Sequence, residues 1–538
     1  MDLLSIKRKI SQITPTNRNP LYQSHLYWSQ KPYNICDILI EELTEEGDII
    51  FDPFMGSGVT IIEAALHNRK GVGVEINELP IFIVDTLLKK VEVVEELLNE
   101  FELFLDSLQS YYETWSDEFN TVGVINKIIF DRPSPFSEPE IKEIYYKCKG
   151  NKNAVVKKPD IFDSEKMLAN NGYQQIRDFI MIPNSRLAVQ NNQSVSTLFT
   201  PRALSIIDEI LQYIARIHDN NQRNVIQYIL MSSLHLIKIT DTKSNSQWPL
   251  WTPKENCLEK NAIDVLKKRI GLLRESFKYL ANYSDRNLTK GSSFEELLTN
   301  CGYYIIHNGI QNITQGDIPD NSVDLVITDP PYLGQVLYSE YMQLYYPFLD
   351  LHFNIEDEIV VSKAQGRNKD EDNYFQLLNQ GFEKISRKLK RGKLLCMYFH
   401  ESNLSVWNKL INIMKQNGLY FLTQVHVPKK KSTLKNILSP KKSLQGDSIL
   451  FFIKETGLYR EPNENESLEE VVSNVLLHVE YELSEKGPLT TTQLIDDGLM
   501  EIIIQNGWLE QLSQNYKSIV DVFEPKVNWD DTNGKWYI

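Results

Sequence analysis

The run Asp52-Pro53-Phe54-Met55-Gly56-Ser57-Gly58-Val59-Thr60 sets an acid ahead of a glycine-rich turn. Gly56 and Gly58 let the backbone turn tightly and approach a ligand. The start of the helix behind them offers backbone N–H groups that no helical carbonyl uses. A strict GxGxxG is absent, and Asp52 would repel a pyrophosphate. An acid there suits a cofactor with a cationic amino-acid end. Glu75 closes the next strand, where a doubly wound nucleotide fold sets an acid on ribose hydroxyls. A purely structural turn in an α/β domain is the competing reading of this segment.

Asp329-Pro330-Pro331-Tyr332 is the second such segment. Two prolines fix the backbone and remove two donors, leaving carbonyls free to accept. The Asp329 carboxylate and the Pro330 carbonyl can each accept one hydrogen of an exocyclic amine. Drawing both hydrogens out of plane localises the nitrogen lone pair for attack. Tyr332 can stack on the ring, as flipped bases are held. The bland alternative is a strand-ending turn with an Asp cap.

Elements must bring these segments together. Ile49-Ile50-Phe51 reads as a strand, IIEAALHNR as a helix and Gly71–Glu75 as a second strand, which makes one βαβ unit. A short amphipathic helix over Asp37–Leu43 precedes it. Apolar spacing is helical from Leu79 to about Trp115. Thr200 with Pro201 behind it opens two helices between 201 and 239, and another is predicted between 260 and 282. The stretch from Asn126 to Leu198 is irregular, so 80–300 reads as a mostly helical insertion. Val323–Thr328 is a strand running into Asp329, followed by a Tyr-rich helical stretch to about Leu351. Further strands are predicted at Lys393–Phe399, Phe421–Val427 and Ser448–Ile453, with a helix at Val406–Gln416. The acidic linker REPNENESLEE opens a C-terminal tail, in which Asn533-Gly534 hints at a hairpin.

With SHLYWSQKPY (residues 24–33), these segments resemble the amino-group DNA methyltransferases that use S-adenosylmethionine. DPFMGSGVT matches their cofactor motif, Glu75 the acid that follows it, DPPY the catalytic motif, and Gly316-Asp317 is similar to a further cofactor-binding motif. The resemblance covers roughly 20–80 and 303–455, in the order of the family's alpha-type class, and extends to large adenine methylases of restriction and phage-defence loci. It implies an α/β fold: a Rossmann-like seven-stranded sheet with the large insertion and a small C-terminal α+β or helical domain. The expected layout is 1–80 and 303–456 for the two parts of the methyltransferase domain, 81–302 for the insertion and putting target recognition there, and 457–538 for the tail. By the same resemblance Lys31, Asp52, Pro53, Phe54, Gly56, Ser57, Gly58, Thr60, Glu75 and Asp317 bind the cofactor, and Asp329, Pro330, Pro331 and Tyr332 carry catalysis. Asp at the first motif position leans toward adenine N6, with cytosine N4 as the alternative.

The residue inventory narrows the chemistry. Methylation at cytosine carbon 5 needs a Pro-Cys nucleophile, and none of the five cysteines, at 36, 148, 257, 301 and 396, follows a proline. Direct transfer from a sulfonium needs orientation and lone-pair polarisation, not a strong base. Scattered cysteines without CxxC point away from zinc and toward a reduced, cytoplasmic protein, and no metal is expected. No secretory leader or run of about 18 apolar residues is evident, so no membrane association is expected.

The chain has 538 residues, a net charge of −15 and a pI near 5.3. Wholesale adsorption to nucleic acid is excluded by that charge, so DNA must be met by a local basic surface. Lys429, Lys430, Lys431, Lys435, Lys441 and Lys442 form one candidate, on a loop leaving the carboxyl edge if Phe421–Val427 is parallel. Lys147, Lys149, Lys152, Lys157 and Lys158 form a second. A restriction or defence partner protein fits this class. An RNA amino-group methyltransferase and a non-catalytic DNA-binding subunit are the remaining alternatives.

Overall fold

The computed structural model describes residues 2–90, 92–151, 153–168, 172–242, 256–333, 336–352, 354–364, 366–427, 441, 446–455 and 466–538, with Asp496 and Asp497 described by their backbone alone. Lys429, Lys430, Lys431, Lys435 and Lys442, and Lys152 of the second lysine group, lie outside these residues.

Helices α1 (Leu3–Gln12), α2 (Pro20–Gln23) and α3 (Tyr33–Leu43) lead into β1 (Ile49–Asp52), α4 (Val59–Leu66), β2 (Lys70–Glu75), α5 (Glu78–Leu88) and α6 (Val94–Ser107). The insertion follows with β3 (Glu113–Ser116), β4 (Thr121–Asp131), β5 (Glu140–Cys148), β6 (Val155–Lys157), α7 (Ile161–Leu168), α8 (Pro201–Ala215), α9 (Asn220–Ile237), β7 (Thr240–Asp241), β8 (Cys257–Lys260) and α10 (Ala262–Ala281). The α/β layer resumes at β9 (Lys290–Gly291), α11 (Phe294–Thr299), β10 (Tyr303–His307), β11 (Val323–Thr328), α12 (Tyr338–Met342), α13 (Glu371–Lys388), β12 (Leu389–Phe399), α14 (Leu404–Gln416), β13 (Leu419–Val427) and β14 (Asp447–Lys454).

The main sheet has eight strands in the order β13-β14-β12-β11-β1-β2-β10-β9. Seven were expected, and the eighth is the two-residue edge β9. All neighbours from β12 to β9 are parallel, while β14 runs antiparallel to both β12 and β13. The strand Phe421–Val427 therefore points the same way as β12 and ends at the carboxyl edge.

Strand residues alternate between two covered faces, as a parallel sheet requires. Phe51, Val72, Val74 and Val326 pack toward α13, α14 and the C-terminal residues, whereas Ile50, Leu325 and Ile327 pack toward α1, α3 and α4. A separate core lies in the insertion. Thr200 caps α8 through Ala203 N–H with Pro201 in its first turn, as the sequence predicts.

The insertion carries the expected helices α6, α8, α9 and α10, but they are not all of it. It contains an antiparallel sheet in the order β6-β5-β4-β8-β7, with β3 also on β4. Sequence alternation hid it because β4 and β5 change register twice, between Ile125 and Lys127 and between Ile129 and Phe130. Each shift throws the inside–outside pattern out of phase. The Tyr-rich helix expected up to Leu351 is short: α12 ends at Met342, followed by one 3-10 turn to Tyr345. In the tail, the helix Leu468–Lys486 has a Ser467–Glu470 capping box, and strands Asn528–Asp530 and Lys535–Tyr537 form the hairpin predicted from Asn533-Gly534. Among the described residues no helix is long and apolar enough to cross a membrane.

Candidate functional site

Parallel pairing of β1 with β11, Ile50 opposite Leu325 and Phe51 opposite Val326, sets the ends of these strands side by side. Asp52 and Asp329 thus emerge together at the carboxyl edge, although 277 positions separate them in sequence. The Thr328 hydroxyl donates to Asp52 Oδ1 at 3.0 Å and ties the two strand ends. Both acids line one cleft that encloses about 1050 Å³, including solvent at its mouth.

The turn after β1 is built by its glycines. Gly56 has φ +49° and Gly58 φ +78°, in the left-handed region. A side chain at Gly58 would put Cβ 2.2 Å from Val84 Cγ2, so this glycine also lets α5 pack against the turn. Gly56 N–H donates to Glu75 Oε2 at 2.9 Å, and Asn77 N–H to Glu75 Oε1 at 2.9 Å. Gln30 Nε2 donates to Ser57 Oγ at 3.0 Å.

Asp52 is buried, and that burial raises its pKa to about 7 against the bonds from Thr60, Phe54 N–H and Thr328. Burial likewise raises Glu75 to about 7 against Asn77 and Gly56. The cleft thus holds two desolvated carboxylates that accept hydrogen bonds but have no cation paired to either among the described residues.

At the other end, Tyr332 OH donates to Asp329 Oδ1 at 2.6 Å and Lys31 Nζ stands 3.2 Å from Oδ2. Lys31 also pairs with Asp447 at 2.9 Å and donates to the Tyr332 hydroxyl at 3.2 Å, with the Tyr332 and Tyr398 rings each about 5 Å away. Burial raises the pKa of Asp329, and Lys31 pulls it back. Tyr374 OH donates to the Pro331 carbonyl at 2.7 Å. The Pro330 carbonyl accepts no hydrogen bond from the described residues.

The N-terminal aromatic stretch reaches the same cleft. Tyr27 stacks on Tyr338 at 5.6 Å, Trp28 meets Tyr341 edge-on at 5.1 Å, and Tyr27, Trp28, Ser29, Gln30 and Lys31 line the wall. Lys31, expected among the cofactor residues, is held between Asp329 and Asp447. Asp317 is a correction: it accepts from Thr314 N–H and Oγ1 at 2.7 Å in a local turn and does not line the cleft. Asn308–Gln311, directly after β10, supply that wall instead. The rule that ligands sit at the carboxyl ends of strands would have found them. Tyr338, Glu358, Tyr398 and Asp447 also belong to the site, and no short motif marks them.

Lys441 faces the tail rather than open solvent: it lies 3.5 Å from Glu524 and about 6 Å from the Trp529 and Trp536 rings. Lys157 is paired with Asp160 and Asp163. All five cysteines are buried and unbridged. Asp37, Glu63 and His67 bring one ligand atom each within 4.8 Å of one another. Burial, and then the Asp37 charge, raises Glu63 well above the usual carboxylate range.

Residues 6–82 match the profile of a DNA methylase family of the N6/N4 type. The chain is 20% identical over 457 residues to the type II methyltransferase M.MjaII of Methanocaldococcus jannaschii, covering 79% of this chain and 78% of that one. Shorter matches are 42% identical over 68 residues to the orphan methyltransferase M.BamHII of Bacillus amyloliquefaciens and 45% over 49 residues to the type II methyltransferase M.HindIII of Haemophilus influenzae. These span 26% and 16% of those proteins and 13% and 9% of this chain.

Proposed function

The chain belongs to the amino-group DNA methyltransferase family, and from that premise we propose that it methylates the exocyclic N6 of adenine in DNA with the base extruded into the cleft. The cofactor is S-adenosylmethionine, which supplies an electrophilic methyl group on a sulfonium. The residues present fit it: Asp52 and Glu75 are carboxylates whose pKa values are raised by burial, with no cation paired to either among the described residues. Asp52 would take the cationic amino-acid end and Glu75 the ribose hydroxyls, with Asn308–Gln311 beside the adenine ring.

The observation that carries the reading is the meeting of Asp52 and Asp329 across the Thr328 bridge. It supports delivery of a methyl group to a base held at Asp329. Asp329 Oδ and the Pro330 carbonyl would accept the two amine hydrogens, so the lone pair points out of the ring plane. Lys31 opposes the burial that raises the Asp329 pKa and so favours the ionised form that an acceptor requires. Tyr332, bonded to Asp329 through its hydroxyl, offers its ring for stacking. The nitrogen proton leaves after it becomes cationic, so no strong base is needed. Adenine is favoured over cytosine N4 by Asp at position 329, and the insertion would choose the sequence. A place in restriction or phage defence, with a partner protein, suits this class.

The test is to incubate the protein with DNA and labelled S-adenosylmethionine and digest to nucleosides. N6-methyladenine supports the reading, N4-methylcytosine moves it to the alternative base, and no product despite bound cofactor refutes it. Parallel RNA substrate separates the RNA alternative. Asp329→Ala should abolish transfer while retaining cofactor.

A further inference from the structure

We propose that Tyr398 is a further cofactor contact: its hydroxyl donates to the α-carboxylate at the amino-acid end of S-adenosylmethionine. The identity of the acceptor rests on the reading above; the unpaired donor in the cleft does not.

Tyr398 stands next to the last residue of β12 and lines the cleft. Parallel register sets Thr328 opposite Met397, so Tyr398 lies one strand over from Asp329 and at its level. It is 3% exposed, and its hydroxyl is buried with no hydrogen-bond partner. Among the described residues it is the one tyrosine hydroxyl, and the one side-chain donor of the cleft wall, in that condition.

Other buried phenols of this chain follow the opposite rule. Tyr112 donates to Glu259 at 3.0 Å, Tyr303 to Asp85 at 3.3 Å and Tyr374 to the Pro331 carbonyl at 2.7 Å, and Tyr228 is bonded to Ser24 at 2.6 Å. A buried donor left unpaired costs stability, so one kept at a cleft wall marks the place of an acceptor that arrives with a ligand. Burial, followed by the Cys36 thiol, Asp329 and Asp447, raises the Tyr398 pKa well above the ordinary phenol range, so the group remains a donor. Those two acids are served by others: Asp329 accepts from Tyr332 and pairs with Lys31, and Asp447 pairs with Lys31.

The face of the sheet selects the cofactor over the base. Tyr398 packs in the core that holds Cys36, Val59 and Ile327, on the side of α3 and α4. Tyr332, whose ring is offered to the base, packs against the core on the opposite side. Val59 and Thr60, the first residues of α4, line the same cleft. Gly58 precedes them as N-cap and has no side chain to cap the helix, so its first-turn N–H groups are left for a ligand.

Chemistry then names the acceptor. With the α-ammonium of the cofactor on Asp52, the α-carboxylate hangs from the same carbon and needs donors close to an acid. The hydroxyls of Thr60 and Thr328 are spent on Asp52, and Lys31 is spent on Asp329 and Asp447. The start of α4 favours an anion, and Tyr398 adds a charge-assisted hydrogen bond from the side chain.

The experiment measures, by calorimetry, the affinity of the wild type and of Tyr398→Phe for two ligands: S-adenosylmethionine and its decarboxylated form, which lacks only the carboxylate. The substitution removes one oxygen and keeps the ring. It should weaken S-adenosylmethionine about 20-fold, the weight of one hydrogen bond to a charged group, and leave the decarboxylated form unchanged. Equal weakening of both ligands would make Tyr398 a shaping element of the wall and overturn the assignment. Unchanged affinity for both would overturn it as well, and a loss of DNA affinity alone would move the hydroxyl to the base. The thermal midpoint of cofactor-free Tyr398→Phe should match or exceed that of the wild type; a fall would show that the hydroxyl is already bonded in the free protein, against the proposal. A wild type that binds no S-adenosylmethionine refutes the cofactor reading together with this one. The expected pair of affinities without methyl transfer to DNA refutes the methylation reading alone, and the Tyr398 contact stands.

Discussion

Replacing Lys31 by methionine tests whether Asp329 works as an ionised acceptor. Asp329 is desolvated, and its charged form is held by Lys31 at 3.2 Å and by the Tyr332 hydroxyl at 2.6 Å, while Asp447 on the far side of Lys31 opposes it. At an effective dielectric of about 20, the Lys31 contact is worth at most about 5 kcal/mol. Lys31 divides its charge between Asp329 and Asp447, so only part of that contact acts on Asp329. Removing the cation raises the Asp329 pKa, and a protonated acid cannot accept an amine hydrogen. The acid limb of the kcat profile should therefore move toward alkaline pH, with activity lost at low pH and recovered as pH rises. The assay is initial methyl transfer to DNA at saturating cofactor across the pH range. An unshifted limb, or an equal loss at every pH, would refute the electrostatic role and leave Lys31 a packing or cofactor residue.

Three other outcomes follow from the geometry. Asp52→Asn should weaken S-adenosylmethionine about 30-fold, the weight of a charge-assisted contact, and calorimetry showing an unchanged Kd would remove Asp52 from the cofactor's cationic end. Asp52 and Glu75 have folded pKa values raised to about 7, so the cofactor-free protein should lose stability as pH climbs from about 4 through 7; Glu75→Gln should flatten that decline in denaturant melts, and an identical pH profile would count against it. Gly58→Ala should cost about 2 kcal/mol or more, since its φ is +78° and the new Cβ would sit 2.2 Å from Val84; an unchanged unfolding midpoint would show that the turn relaxes freely.

The fold was readable where local chemistry is strong. Thr200-Pro201 marks a helix start because an N-cap and a fixed φ act within a few residues. Asn533-Gly534 marks a hairpin because few residues accept positive φ. The insertion sheet escaped notice because two register shifts in β4 scramble the alternation on which strand reading depends. At the site, Gly56, Gly58, Glu75 and the DPPY segment were legible as types and spacings, whereas Asp317 misled because a short Gly-Asp pair carries no information about where its turn points.

By itself the sequence determined which side chains are available: an acid before a glycine turn, an acid closing the next strand, and an acid followed by two prolines and a phenol. Only tertiary structure decided that β1 lies beside β11, which brings Asp52 to Thr328 and thereby to Asp329. It also decided that Lys31 is shared by Asp329 and Asp447. The reason is physical: conformational preference acts over a few bonds, whereas strand pairing and charge proximity depend on distances in space that chain order does not encode.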